Sequence, residues 1–115
     1  MHEPEFELWL EWEAIESSDV FAPWDNDDPE DDFFNMEVRL PGGRFYGLNV
    51  WTYRFLERAH QEDLKTGDNL GGAYLLPPDL FVARRGRTLL EAVVRDILRT
   101  GVPETWQLEI DEDAE

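Results

Sequence analysis

The sequence has no cysteine and only two histidines, His2 and His60. A disulfide framework, a thiolate nucleophile and a Cys-based zinc site are excluded, and a multi-histidine metal centre lacks ligands. Serine is confined to Ser17 and Ser18, neither of which sits in a nucleophile-elbow pattern. No run of roughly 18 consecutive apolar residues occurs, the length a membrane-spanning helix needs. There is no Asn-x-Ser/Thr acceptor site. The opening residues, MHEPEFELWLEW, carry Glu where a secretory signal needs a basic start and an apolar run. These absences give the expectation of a cytoplasmic protein.

Positive charge is the other scarcity. Ten Lys and Arg stand against 27 Asp and Glu, for a net charge of −17 and an isoelectric point near 4.2. Such a chain repels nucleic acid and anionic membranes, so neither is expected as a partner. The imbalance is local. Residues 1–36 hold 13 carboxylates and no Lys or Arg, residues 37–100 hold all ten basic residues against eight acidic ones, and residues 101–115 add six carboxylates. An ordinary domain body is flanked by two acidic ends.

What is present suffices for a core. Apolar residues make up 42% of the 115 positions and aromatics 13%, with five Trp, which supports one domain over residues 1–115. Residues 5–15 alternate, with Phe6, Leu8, Leu10, Trp12 and Ala14 on one side and Glu5, Glu7, Trp9, Glu11 and Glu13 on the other. Period two predicts a half-buried strand. Ser17 to Asp32 reads as a loop with Pro23, Pro29 and the run DNDDPEDD at 25–32. FFNMEVRL at 33–40, the turn Pro41-Gly42-Gly43 and RFYGLNVW at 44–51 predict a β-hairpin.

A helix is predicted from Thr52 to Lys65, stopped by Gly67. Residues 67–78 read as a loop with a short extended piece, and 79–84 as a further strand. The T-L-L-E sequence starting at Thr88 predicts a capping box with Glu91. The helix it opens has Leu90, Val93, Val94 and Ile97 as its buried stripe and ends at Gly101 and Pro103. Glu91 and Arg95 form a favourable i,i+4 pair on it. TWQLEI at 105–110 reads as a last strand with Trp106, Leu108 and Ile110 inward. The fold class is α+β: an antiparallel sheet of four to five strands with two helices on one face.

Chemical motifs are few. An EF-hand loop begun at Asp25 fails, because its fifth and sixth positions are Pro29 and Glu30. A looser calcium site among Asp25, Asp27, Asp28, Asp31 and Asp32 competes there with a solvated acidic loop. GDNLGG at 67–72 lacks the Gly-Lys-Ser/Thr of a phosphate loop and reads as a turn. No cofactor or metal ligand set is expected, and no catalytic residue. The ARRGR run at 83–87 either clamps a phosphate or neutralises carboxylates of its own chain, those of the terminal segments included. Trp9 lies in the Glu-rich phase between Glu7 and Glu11, and Trp24 precedes the acidic run. Each is either covered by the chain or presented to a partner. Trp12, Trp51 and Trp106 read as core.

The acidic N-terminal stretch, the hairpin leading through NVWTYRFL into a helix, and YLLPPDLFVARRGRTLLEAVVRDIL together resemble small immunity proteins of bacterial polymorphic-toxin and contact-dependent inhibition systems. The resemblance runs over residues 33–100 and implies a cytoplasmic, non-enzymatic protein that blocks a cognate toxin, often a basic nuclease. It carries no site residues with it. On the chain's own residues, Glu7, Glu11, Asp27, Asp28, Asp31 and Asp32 would attract a basic protein partner, and Trp9 and Trp24 would anchor it. Two other classes stay open: a non-catalytic structural or regulatory domain whose acidic surface serves solubility, and an enzyme or divalent-metal binder.

Overall fold

The computed structural model describes residues 4–18, 24 and 27–111. The chain is an α+β domain built on a five-stranded sheet. Strands β1 (Glu7–Leu10), β2 (Phe33–Leu40) and β3 (Arg44–Thr52) pair antiparallel in succession. The β2–β3 hairpin turns at Pro41–Gly43, where Gly42 has φ 82°, a conformation a side chain would strain. On its outer side β3 carries two short strands: β4 (Leu80–Val82), parallel to its end, and β5 (Leu108–Ile110), antiparallel to its start. One parallel pair thus joins the expected antiparallel set.

Register puts Leu8, Val38 and Tyr46 in one row, Leu10, Met36 and Leu48 in the next, and Phe34, Val50 and Leu80 in a third. All lie on one face. Helix α4 (Arg87–Thr100) covers it with the fully buried Leu90 and Val94, and Val93, Ile97 and Leu98 pack around them. Trp12 and Trp106 close the ends of this core. Each fully buried Leu, Val or Phe contributes roughly 1.5–3 kcal/mol.

Several local expectations change. The first strand stops at Leu10, and Glu11–Glu16 forms the short helix α1. Period two and a helical turn both bring Trp12 inward, onto Phe34 at a centroid distance of 4.8 Å. The Glu- and Ala-rich sequence after Leu10 favours the helix. Glu11 then spends its carboxylate on the Asn35 amide of β2, 2.9 Å away, where the strand no longer reaches.

Helix α4 starts at Arg87 with Gly86 before it, and no side chain caps it. Glu91, expected in a box with Thr88, instead accepts from Arg87 one turn back, at 3.3 Å. Leu108 and Ile110 are exposed, because β5 pairs with the Arg44–Tyr46 end of β3 at the margin of the core. Trp51 lies out of phase with Val50 and faces away from the core.

The two long helices do not share a face. Helix α2 (Tyr53–Thr66) begins where β3 ends, with Thr52 Oγ1 accepting from the Phe55 amide at 3.2 Å. None of its residues is buried. Its Phe55 meets Phe33 and Trp51 at 4.7 and 5.0 Å, and both belong to the sheet face opposite the core. After α2 the chain makes a tight turn, α3 (Asp68–Gly72), in which Asn69, Leu70 and Gly71 adopt left-handed dihedrals.

Candidate interaction surface

The acidic loop is fastened to the domain by arginine. Asp32, its last residue, is 2% exposed and acts as a structural hub. Its Oδ2 accepts from Arg85 Nη1 at 2.5 Å and Trp24 Nε1 at 2.8 Å, and its Oδ1 from the Phe33 amide at 2.8 Å. The Asp32 amide donates to Thr52 Oγ1, whose hydroxyl donates back to the Asp32 carbonyl. Two further links to the backbone hold the same corner, Arg85 N–H to the Pro29 carbonyl and Thr52 N–H to the Asp32 carbonyl. Donors thus compensate the desolvation of a buried carboxylate–guanidinium pair, which is costly when left incomplete.

The earlier acidic residues are held more loosely, from α2. Arg58 Nε donates to both carboxylate oxygens of Asp31, at 3.0 and 2.8 Å. Arg54 reaches Asp28 at 3.6 Å and Glu30 at 3.2 Å, with both side chains solvated. The hydrogen bond to Asp31 holds the Arg58 guanidinium above the usual arginine value, against the opposing effect of desolvation. Arg87 is raised likewise, chiefly by its hydrogen bonds to Glu13; it also donates to the Leu8 carbonyl at 3.0 Å, tying β1 to α4. Two arginines of the ARRGR run therefore neutralise carboxylates of the N-terminal third, one of the two roles its sequence allowed.

This geometry redistributes the predicted partner residues. Asp32 and Trp24 serve the interior and leave the surface set. Glu11 is engaged with the Asn35 amide, and Asp28 and Asp31 face arginines of α2. Asp27 is exposed. Asp25 lies outside the described residues; among the described ones, no three His, Asp or Glu side chains gather into a group that could hold a metal.

Glu7 and Trp9 stand apart from this loop, on the sheet face opposite the core. Across that face register sets Glu7 beside Arg39 and Phe45, Trp9 beside Glu37 and Gly47, Asn35 beside Asn49, and Phe33 beside Trp51 and Phe81. Asn35, Arg39, Gly47 and Asn49 are exposed and Trp9 is half-buried, so the face is open. Gly47 supplies no side chain, which leaves a shallow hollow bounded by Trp9, Asn35, Glu37 and Asn49. Arg39 Nε donates to Glu37 Oε1 at 2.9 Å. Glu7 makes no ion pair among the described residues.

At one end of the face the aromatic rings of Phe33, Phe55, Trp51, Phe81 and Tyr53 touch in series, with Phe33 55% and Tyr53 60% exposed. Sequence reasoning singled out Trp9 and missed these rings, although the same signal marks them. Phe33, Phe45 and Trp51 all fall in the polar phase of their strands. No helix among the described residues is long and apolar enough to cross a membrane. Comparison with family models, with curated proteins and with solved structures returned no match.

Proposed function

We propose that this chain is a non-catalytic binding protein of the cytoplasm that captures a basic protein, as an immunity or inhibitor protein does with a toxin or nuclease, through the open sheet face around Trp9. The observation that carries the reading is the row Trp9, Glu37 and Gly47: an indole beside a hollow, on the part of the face that α2 leaves open, next to Glu7, which makes no ion pair among the described residues. An amphipathic ring partly freed from water is a common anchor, and neighbouring carboxylates select a cationic partner and speed its approach. The charge of −17 supports the same choice of partner. Within this reading the loop at 27–32 contributes long-range attraction, and its arginine clamps fix its shape.

The clamps also favour a second reading, in which the acidic loop is purely architectural and the domain has no basic target. Affinity capture from the native cell separates the two. Wild-type protein should retain a basic protein that Trp9→Ala releases, with both baits folded by circular dichroism. Capture of no basic protein, or equal capture by both baits, would remove the sheet-face reading and leave the structural one.

A further inference from the structure

Among the described residues eight large apolar side chains are left exposed, and five of them lie between residues 53 and 76: Tyr53, Leu64, Leu70, Tyr74 and Leu76. Their concentration has a local cause. Tyr53, Leu56, His60 and Leu64 recur every three or four residues along α2 and make one stripe. The segment after α3 passes beside that stripe without sealing it. Gly72 permits the approach, since a Cβ there would stand 3.1 Å from Leu64 and 3.2 Å from His60. The turn is pinned at two points, by His60 Nε2 with the Gly72 carbonyl at 3.1 Å and by Asn69 Nδ2 donating to Asp63 at 2.8 Å. With the turn held there, Leu70 at 81%, Tyr74 at 51% and Leu76 at 77% exposure point away from any core.

An open trough of about 440 Å³ results, lined by Tyr53, Leu56, His60, Gly72, Tyr74 and Leu75, with Glu57 at its edge. Its electrostatics are one-sided. Arg54 and Arg58, the arginines of α2, are turned toward Asp28, Glu30 and Asp31. At the trough itself the carboxylate is Glu57, with Asp63 and Asp68 at the adjoining turn, while Glu62 acts on Arg58 and Lys65 is outside the lining. An anionic rim on a chain of charge −17 opposes a second copy of itself and an anionic bilayer, and favours a cation. The trough runs along a helix and presents apolar side chains at helical spacing, which suits a helix laid into it.

We propose that the α2 trough docks an amphipathic helix of a protein partner, with an apolar stripe facing Leu56 and Tyr74 and basic residues over Glu57. The site shares Tyr53 with the aromatic end of the Trp9 face but does not include Trp9, and it does not rest on the role proposed for that face.

The test uses the intact chain and a synthetic 14-residue peptide of Leu and Lys patterned at helical period, beside a scrambled isomer of equal charge with no apolar face. Titration calorimetry at physiological ionic strength should show the patterned peptide binding about tenfold more tightly than the scramble. The double variant Leu64→Gln/Tyr74→Ser, changed at exposed positions and checked for an unaltered melting temperature, should lose that advantage; Trp9→Ala should keep it. Equal affinity of the two peptides would mean charge attraction alone and overturn the proposal. So would absence of binding, or an undiminished advantage in the double variant. Sedimentation showing a wild-type dimer that the double variant dissolves would place a second copy in the trough and overturn the basic occupant.

Discussion

Helices α2 and α4 each have 14 residues and an amphipathic sequence, and they meet opposite fates. Helix α4 lies over the inner face of the sheet, with Leu90 and Val94 at 0% exposure. Helix α2 leaves the end of β3 toward the other face and buries nothing completely. The ion pairs follow the same division. On the α4 side, Arg85 and Asp32 are a buried pair, with side chains 13% and 4% exposed. On the α2 side, Arg54 and Asp28 are 57% and 50% exposed. An amphipathic pattern states that a stripe wants cover; the topology decides whether the chain supplies it.

The comparison breaks most readily at the apolar stripes. Val94→Asp buries an unpaired charge and should cost about 5 kcal/mol or unfold the chain, whereas Leu64→Asp should cost below about 1 kcal/mol. Denaturant titration of both variants measures the contrast. Similar losses would mean that α2 is as much part of the core as α4.

The ion pairs give the next largest difference. Arg85→Met leaves the Asp32 carboxylate buried without its guanidinium and should cost about 3 kcal/mol or more. Arg58→Met removes a pair whose guanidinium is well exposed and should cost no more than about 1 kcal/mol, a loss that ~1 M NaCl reduces. The raised Arg58 value works in one direction. Its stabilisation is complete below the ordinary arginine value and is lost only as pH rises through the still higher folded one. The melting-temperature gap between wild type and Arg58→Met should therefore stay constant from about pH 7 to pH 10.

The smallest effect on stability belongs to Trp9. Trp9→Ala on the open face should cost about 1 kcal/mol in folding, yet about 2 kcal/mol or more in binding to the captured partner, mainly through faster dissociation. Surface plasmon resonance against that partner checks the second figure and thermal melts the first. A folding loss as large as that of Val94→Asp would make Trp9 a core residue.

The hairpin, both long helices and the core trio of Phe34, Met36 and Val38 were legible in the sequence, because alternation and helical period report directly on a buried face. Three things were not. The turn from strand to helix at Glu11 was hidden, since both geometries bury Trp12. The placement of α2 is a matter of topology, which periodicity does not encode. The pairing of Asp32 with Arg85 spans 53 residues, and in a run of six acidic residues at 25–32 nothing local marks the one that goes inside. The candidate surface was half legible: Glu7 and Trp9 lie on it, while Asp32 and Trp24 had the composition of surface residues and the contacts of interior ones.

Native-state hydrogen exchange tests the contrast between the two helices most directly. Amides of α4 around Val94 should exchange only through global unfolding, and those of α2 between Leu56 and Asp63 through local opening at least about a hundredfold faster. Equal protection in α2 and α4, both at the global limit, would contradict the account and show that α2 is covered by its own chain.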